Sequence, residues 1–174
     1  MTPNHKFFRR LPAAAAAILG LFSSNAAAEF KSPMQSEKAS ETENRNKALI
    51  AESFAAWAAG TGGPYDLLAE DASWTIVGNT LASKTYPSRE AFMSEVIRPF
   101  NARMRTGLKP HIRNIYAEGG AVIVFFDASG EARDGQTYAN TYAWFLDLKD
   151  GKIVRSHAFF DAVVFNDFWT RIAP

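Results

Sequence analysis

The residues best equipped for chemistry lie near the end of the chain: one carboxylate, one imidazole and a group of phenols and indoles. On the last β-rich run, alternation places Ile153, Arg155, His157, Phe159 and Asp161 on one face, with Val154, Ser156, Ala158 and Phe160 on the other. His157 and Asp161 therefore share a face. In an apolar pocket desolvation raises a carboxyl pKa, which suits Asp161 to accept a proton near neutral pH, and the His157 imidazole can serve as a second acid or base or hydrogen-bond an enolate oxygen. Each has a structural alternative: Asp161 as a cap on backbone amides at the strand end, His157 as a hydrogen-bonded strand histidine. On the preceding run Tyr138, Asn140, Tyr142 and Trp144 share a face, and Tyr142 and Asn140 are candidates to orient a ligand carbonyl, because apolar pockets use a few placed polar groups. Trp74, Trp57, Phe125 and Phe159 are expected to wall such a pocket, while most other aromatics belong to the core.

Several chemistries are excluded. The chain has no cysteine, so it offers no thiolate nucleophile, disulfide framework, thiolate zinc site or lipidated Cys anchor. His111 lies on an earlier strand, and the three histidines lack the short spacing of a ligand set, so neither a metal nor any other cofactor is expected.

The elements that must position these residues follow from periodicity. With 174 residues, 47% apolar and 21% charged, the chain can build one domain with a real core. Leu49, Ile50, Phe54 and Trp57 make one apolar stripe of a helix expected from about residue 44 to Ala59, with Ser40 and Glu43 as its capping box. Residues 29–43 are polar and read as a flexible lead. Gly60 to Pro64 stops the helix. A short second helix is expected from Tyr65 to about Glu70, then a strand over Ser73–Gly78, then a third helix capped by Ser88 with Phe92, Val96 and Phe100 on one face. From Lys109 the pattern turns to strands: Asn114–Tyr116, Val122–Asp127, Tyr138–Leu148 and Lys152 to about Val164. Asp150-Gly151 is the strongest hairpin signal. The order predicts an α+β fold.

Residues 1–28 have the form of an export signal: basic Lys6, Arg9 and Arg10, an apolar run from Leu11 to Phe22, then Ala26-Ala27-Ala28. The run is too short for a permanent membrane anchor. The surroundings of Arg9-Arg10 match a twin-arginine signal poorly, so ordinary secretion to the periplasm or beyond, with cleavage after Ala28, is expected. Taking these three basic residues from the chain's 19 Lys and Arg leaves 16 against 18 Asp and Glu, a net charge of −2. No basic stripe remains, which argues against nucleic acid as a partner.

Leu67-Leu68-Ala69-Glu70-Asp71 leading into Trp74-Thr75-Ile76-Val77-Gly78, then Tyr138-Ala139-Asn140-Thr141-Tyr142, then Asp150-Gly151-Lys152-Ile153-Val154 through Phe159-Phe160-Asp161, together resemble the SnoaL-like branch of the nuclear-transport-factor-2-like superfamily. The resemblance covers about residues 44–168, within a domain taken as 44–174. It implies a cone-shaped half-barrel, a strongly bent and mostly antiparallel sheet with three helices packed on its concave side, enclosing an apolar cavity and often forming a homodimer. Polyketide cyclases, ketosteroid isomerases, limonene epoxide hydrolases and dehydratases share this architecture, so the resemblance names no single reaction. It does place Asp161 at the carboxylate ending an aromatic-x-Asp motif that is the general base of the cyclases and epoxide hydrolases. Where epoxide hydrolases carry an Arg-x-Asp pair, Phe125 stands in the arginine's place before Asp127, which argues against that activity. The expected function is a pocket for a small apolar carbonyl compound, with proton transfer by Asp161 and enolate stabilisation by His157 or Tyr142 if it is catalytic. The alternatives are a non-catalytic periplasmic binding protein and a domain that dimerises through its sheet, since Val122, Val124 and Phe126 oppose Ile123 and Phe125 and one set needs cover.

Overall fold

The computed structural model describes residues 33–174; the export signal read over residues 1–28 and the start of the lead lie outside the described residues. Helix α1 (Pro33–Ala59) buries Ile50 and Phe54, with Leu49 and Trp57 packed beside them. It starts seven residues before the expected capping box, so the described part of the lead is helical. Ser40 lies inside the helix rather than at its start, and Glu43 accepts a hydrogen bond from Gly119 N at 2.8 Å. The polar composition of this segment reports a lack of burial. A packed nucleus such as Ile50–Phe54 nevertheless propagates helix outward without further burial.

After α1 a single 3₁₀ turn (Pro64–Leu67) replaces the expected second helix, because strand β1 (Leu68–Ile76) already begins at Leu68. A two-residue strand β2 (Thr85–Tyr86) follows. Ser88 then caps α2 (Arg89–Phe92) by accepting from Ala91 N, and the helix continues through a π-helical stretch (Met93–Ile97) into α3 (Arg98–Arg103). Strands β3 (Lys109–Glu118), β4 (Ala121–Glu131), β5 (Thr137–Lys149) and β6 (Lys152–Phe160) form the meander, and the chain ends in α4 (Ala162–Arg171). The last strand, expected to run to about Val164, ends at Phe160. In place of those final strand residues stands α4, whose Phe165, Phe168 and Ile172 are buried at helical spacing. Three helical layers thus cover the sheet, with α4 rather than residues 65–70 as the third.

The sheet order is β2-β1-β6-β5-β4-β3, and every neighbouring pair is antiparallel except β1 with β6. This open, bent sheet is the cone-shaped half-barrel. Its concave face carries Val122, Val124 and Phe126 of β4 and Tyr138, Tyr142, Trp144 and Leu146 of β5, all buried. Helix α1 packs across β3 and β4, α2 against β1, and α4 against β5.

One irregularity decides which side chains of β6 face inward. The turn at Asp150-Gly151 has positive φ at both residues, 51° and 74°, as a two-residue hairpin turn requires. It pairs Lys149 with Lys152 and Leu148 with Ile153. The next pair is Asp147 with Arg155, so Val154 is an extra residue, a β-bulge. From there Tyr142 faces Phe160 and Trp144 faces Ala158. Without the bulge Tyr142 would have met Phe159 and Trp144 would have met His157. A one-residue slip exchanges the faces of a strand.

Candidate functional site

Between the concave face and the helices lies a cavity of about 320 Å³. Its sheet wall is Trp74 and Ile76 of β1, Tyr142 and Trp144 of β5, and Ala158 and Phe160 of β6. The facing wall comes from the π-helical stretch and its flanks, with Phe92, Met93, Val96, Ile97 and Phe100, while Trp57, Tyr65, Leu108 and Phe165 close the ends. Gly62, Gly63 and the exposed Asp66 and Asn101 form the rim. The aromatic rings brace one another: Trp74 stacks on Phe92 at 4.4 Å, Trp57 stacks on Trp144 at 5.8 Å, and Trp74 meets Trp144 edge-on at 5.0 Å.

The polar groups in this wall are hydrogen-bond donors without charge. Tyr142 Oη lies 2.8 Å from Tyr138 Oη. Among the described residues the Tyr65 hydroxyl makes no hydrogen bond, and Trp144 Nε1 is buried without a partner. Burial pushes the Tyr65 and Tyr142 hydroxyls well above the ordinary phenol range, and neighbouring phenols add to the shift: Tyr138 for Tyr65, and both Tyr138 and Tyr65 for Tyr142. Tyr138 is raised by burial and held back by its hydrogen bonds with Tyr142 and Asn140. All three stay protonated at neutral pH. Among the described residues Asp66 is the one carboxylate touching the cavity, and its Oδ2 accepts from Gly63 N at 2.9 Å.

The expected acid–base pair is not at this cavity. Asp161 is exposed and stands at the N-cap of α4, where Oδ1 accepts from Val163 N at 2.8 Å and Val164 N at 3.2 Å. This is the capping role named as its alternative. His157 lies on the outer face, opposite Phe145 and Thr75. Phe159 is also outside, edge-on to Phe145 at 5.6 Å. Phe125 is outside as well, with the Arg113 guanidinium 5.1 Å from its ring. Arg113 Nε donates to Asp127 at 2.6 Å and Thr141 Oγ1 donates to the same carboxylate at 2.7 Å, so an Arg–Asp pair exists, but on the outer face. Those bonds, Thr141's first, hold the Asp127 carboxyl below its usual value.

Asn140 is buried but does not line the cavity; its carboxamide is consumed by local bonds. Tyr142, Trp74 and Trp57 do line it. Tyr65, Trp144, Phe160 and Phe165 are wall residues not among those expected. Phe165 was legible in principle, since Asp161 followed by apolar residues at 165, 168 and 172 has the form of a capped helix. Among the described residues no group of three His, Asp or Glu side chains is placed to hold a metal ion.

The profile of the SnoaL-like domain matches residues 47–156, well over half of the chain. The chain belongs to the SnoaL-like family. No curated protein matches it. Among solved structures, this SnoaL-like domain is similar to Bal32a from a soil-derived mobile gene cassette, at 20% identity over 74% of this chain and 98% of that one, with a TM-score of 0.61. An NTF2-like protein from Burkholderia thailandensis matches at 22% identity over 68% and 92%, with a TM-score of 0.57. An LEH-like epoxide hydrolase of M. tuberculosis matches at 14% identity over 74% and 92%, with a TM-score of 0.53. At such identities the likeness is one of fold.

Proposed function

We propose that this SnoaL-like protein captures a small, largely apolar, uncharged molecule that carries a hydrogen-bond acceptor, and that capture rather than carboxylate–imidazole proton transfer is its activity. The observation that carries this reading is the pairing of an aromatic cavity of about 320 Å³ with phenol and indole donors on its inner wall, while Asp161 and His157 stand elsewhere. A buried charge without a partner is costly in such a wall, whereas a neutral acceptor relieves donors that otherwise stay unpaired. Taken with the export signal, the place of capture is the periplasm. Native mass spectrometry of the mature domain from its natural host tests this: a neutral ligand that leaves on denaturation supports it, and empty protein at every stage of purification overturns it.

A second reading rests on Asp66. A rim carboxylate touching the cavity can accept a proton from a ligand lodged inside. Asp66→Asn separates the two, since an enzyme would lose turnover by about a hundredfold or more and a binding protein would keep its affinity.

The outer face of the sheet supports the further reading of a homodimer. Tyr116, Phe145 and Phe159 are 55%, 42% and 43% exposed on it. They are flanked by the ion pairs Arg113–Asp127 and Arg155–Asp147. An apolar centre with a rim of equal opposite charges is complementary to a second copy of itself under two-fold symmetry.

A further inference from the structure

Asn140 has a carboxamide with no freedom left. Its Oδ1 accepts from the backbone N–H of Thr141 at 2.8 Å and of Asp161 at 3.0 Å. Its Nδ2 donates to the carbonyl of Asp161 at 3.0 Å and to the Tyr138 hydroxyl at 3.1 Å. Turning the amide over would set an NH2 group against two backbone donors, so only one orientation satisfies the site. The Tyr138 oxygen is therefore obliged to accept. A hydroxyl that accepts a hydrogen bond becomes a better donor, because chains of hydrogen bonds polarise one another. The neighbour available to Tyr138 is Tyr142 Oη at 2.8 Å, and Tyr142 is the member of the three that lines the cavity.

We propose that Asn140, Tyr138 and Tyr142 form a one-way donor relay, N–H to O–H to O–H, whose last proton is offered to the cavity and selects ligands with a carbonyl-type acceptor. Tyr142 touches the ligand; Tyr138 and Asn140 are positioning residues that set the direction of its proton. The proposal rests on the capture reading and adds to it the chemical group recognised. Because all three phenols near the cavity are held neutral, the relay has the same polarity across the physiological pH range. It also explains why a buried asparagine that meets no ligand sits on the ligand-binding strand.

The test uses two probes of nearly the same shape, acetophenone and α-methylstyrene, which differ in having C=O or C=CH2. The wild-type mature protein is expected to bind acetophenone about fivefold to tenfold more tightly, the worth of one net hydrogen bond. Its bound carbonyl stretch, read by infrared spectroscopy on the 13C-labelled probe, shifts to lower wavenumber. In Tyr138→Phe the Tyr142 hydroxyl remains but the relay is cut, so the affinity ratio falls by about half or more and the stretch moves back towards its value in an apolar solvent. Asn140→Asp keeps an acceptor for the two backbone N–H groups but reverses the demand on Tyr138, which must now donate to it; the ratio falls to about one with both phenols present. Should Asn140→Asp not fold, Tyr138→Phe decides alone. An unchanged ratio and stretch in Tyr138→Phe overturns the relay while leaving capture intact. Equal binding of both probes by the wild type does the same, and failure of the wild type to bind either probe removes capture and relay together.

Discussion

Asp161 was expected to move protons, yet its carboxylate holds the first amides of α4. The consequence is measurable. Asp161→Asn is expected to leave stability nearly unchanged, because asparagine is as good an N-cap as aspartate, whereas Asp161→Ala costs about 1 kcal/mol; urea unfolding with ligand titration alongside checks that affinity does not follow. A loss of turnover or affinity in Asp161→Asn at full stability would return the residue to the site. The phenols give a second prediction. Tyr65 and Tyr142 have folded pKa values raised above their unfolded values, so the stability they contribute is fully present below pH 10 and is lost as pH climbs from 10 towards their folded values. Tyrosinate absorbance from these residues should therefore appear together with the loss of circular dichroism, in one alkaline transition. Tyrosinate signal from them in a still-folded protein would contradict their burial.

At the scale of elements, the bulge at Val154 explains both what was legible and what was not. Helix α1's stripe, the Ser88 cap, the four-strand meander and the Asp150-Gly151 hairpin all follow from spacing and turn chemistry, and each stands where periodicity put it to within a few residues. The inward set of β5 was equally readable, because one face of Tyr138 to Leu148 is consistently the larger and more apolar. On β6 the run Ile153-Val154 is apolar at both positions and hides the inserted residue. Regular alternation then sends His157 and Phe159 towards the cavity, when Ala158 and Phe160 are the residues that reach it. Deleting Val154 should close the bulge, because Arg155 then follows Ile153 directly and still faces Asp147, so every later side chain of β6 keeps its face. That variant is expected to unfold cooperatively in thermal denaturation, as is Val154→Thr, which keeps the bulge, and a deletion variant without a folded state would contradict this register. The outer face carries the element-level prediction for assembly. Phe145→Glu places a like charge opposite itself across a two-fold axis, and should convert a dimer at tens of micromolar into a monomer in sedimentation; a wild type that is already monomeric there would refute the dimer.

For the whole molecule, the proposed destination has a direct check: protein recovered from the periplasm should begin at Glu29 or within a few residues of it, carrying a net charge of −2, and unprocessed protein in the cytoplasm would refute export. The sheet order bears on that journey. Strand β1 has β2 on one side, but its long neighbour is β6, and the two are separated by the entire meander. A pairing so distant along the chain is slow to form, since its loop must close before any contact rewards it. The cavity shares this delay, because Ala158, Phe160 and Phe165 of its wall belong to β6 and α4, which follow β1 to β5 along the chain. Until β6 and α4 are in place, the wall lacks Ala158, Phe160 and Phe165. A chain wired in this way stays open until its distant strands have met, and only then becomes a vessel.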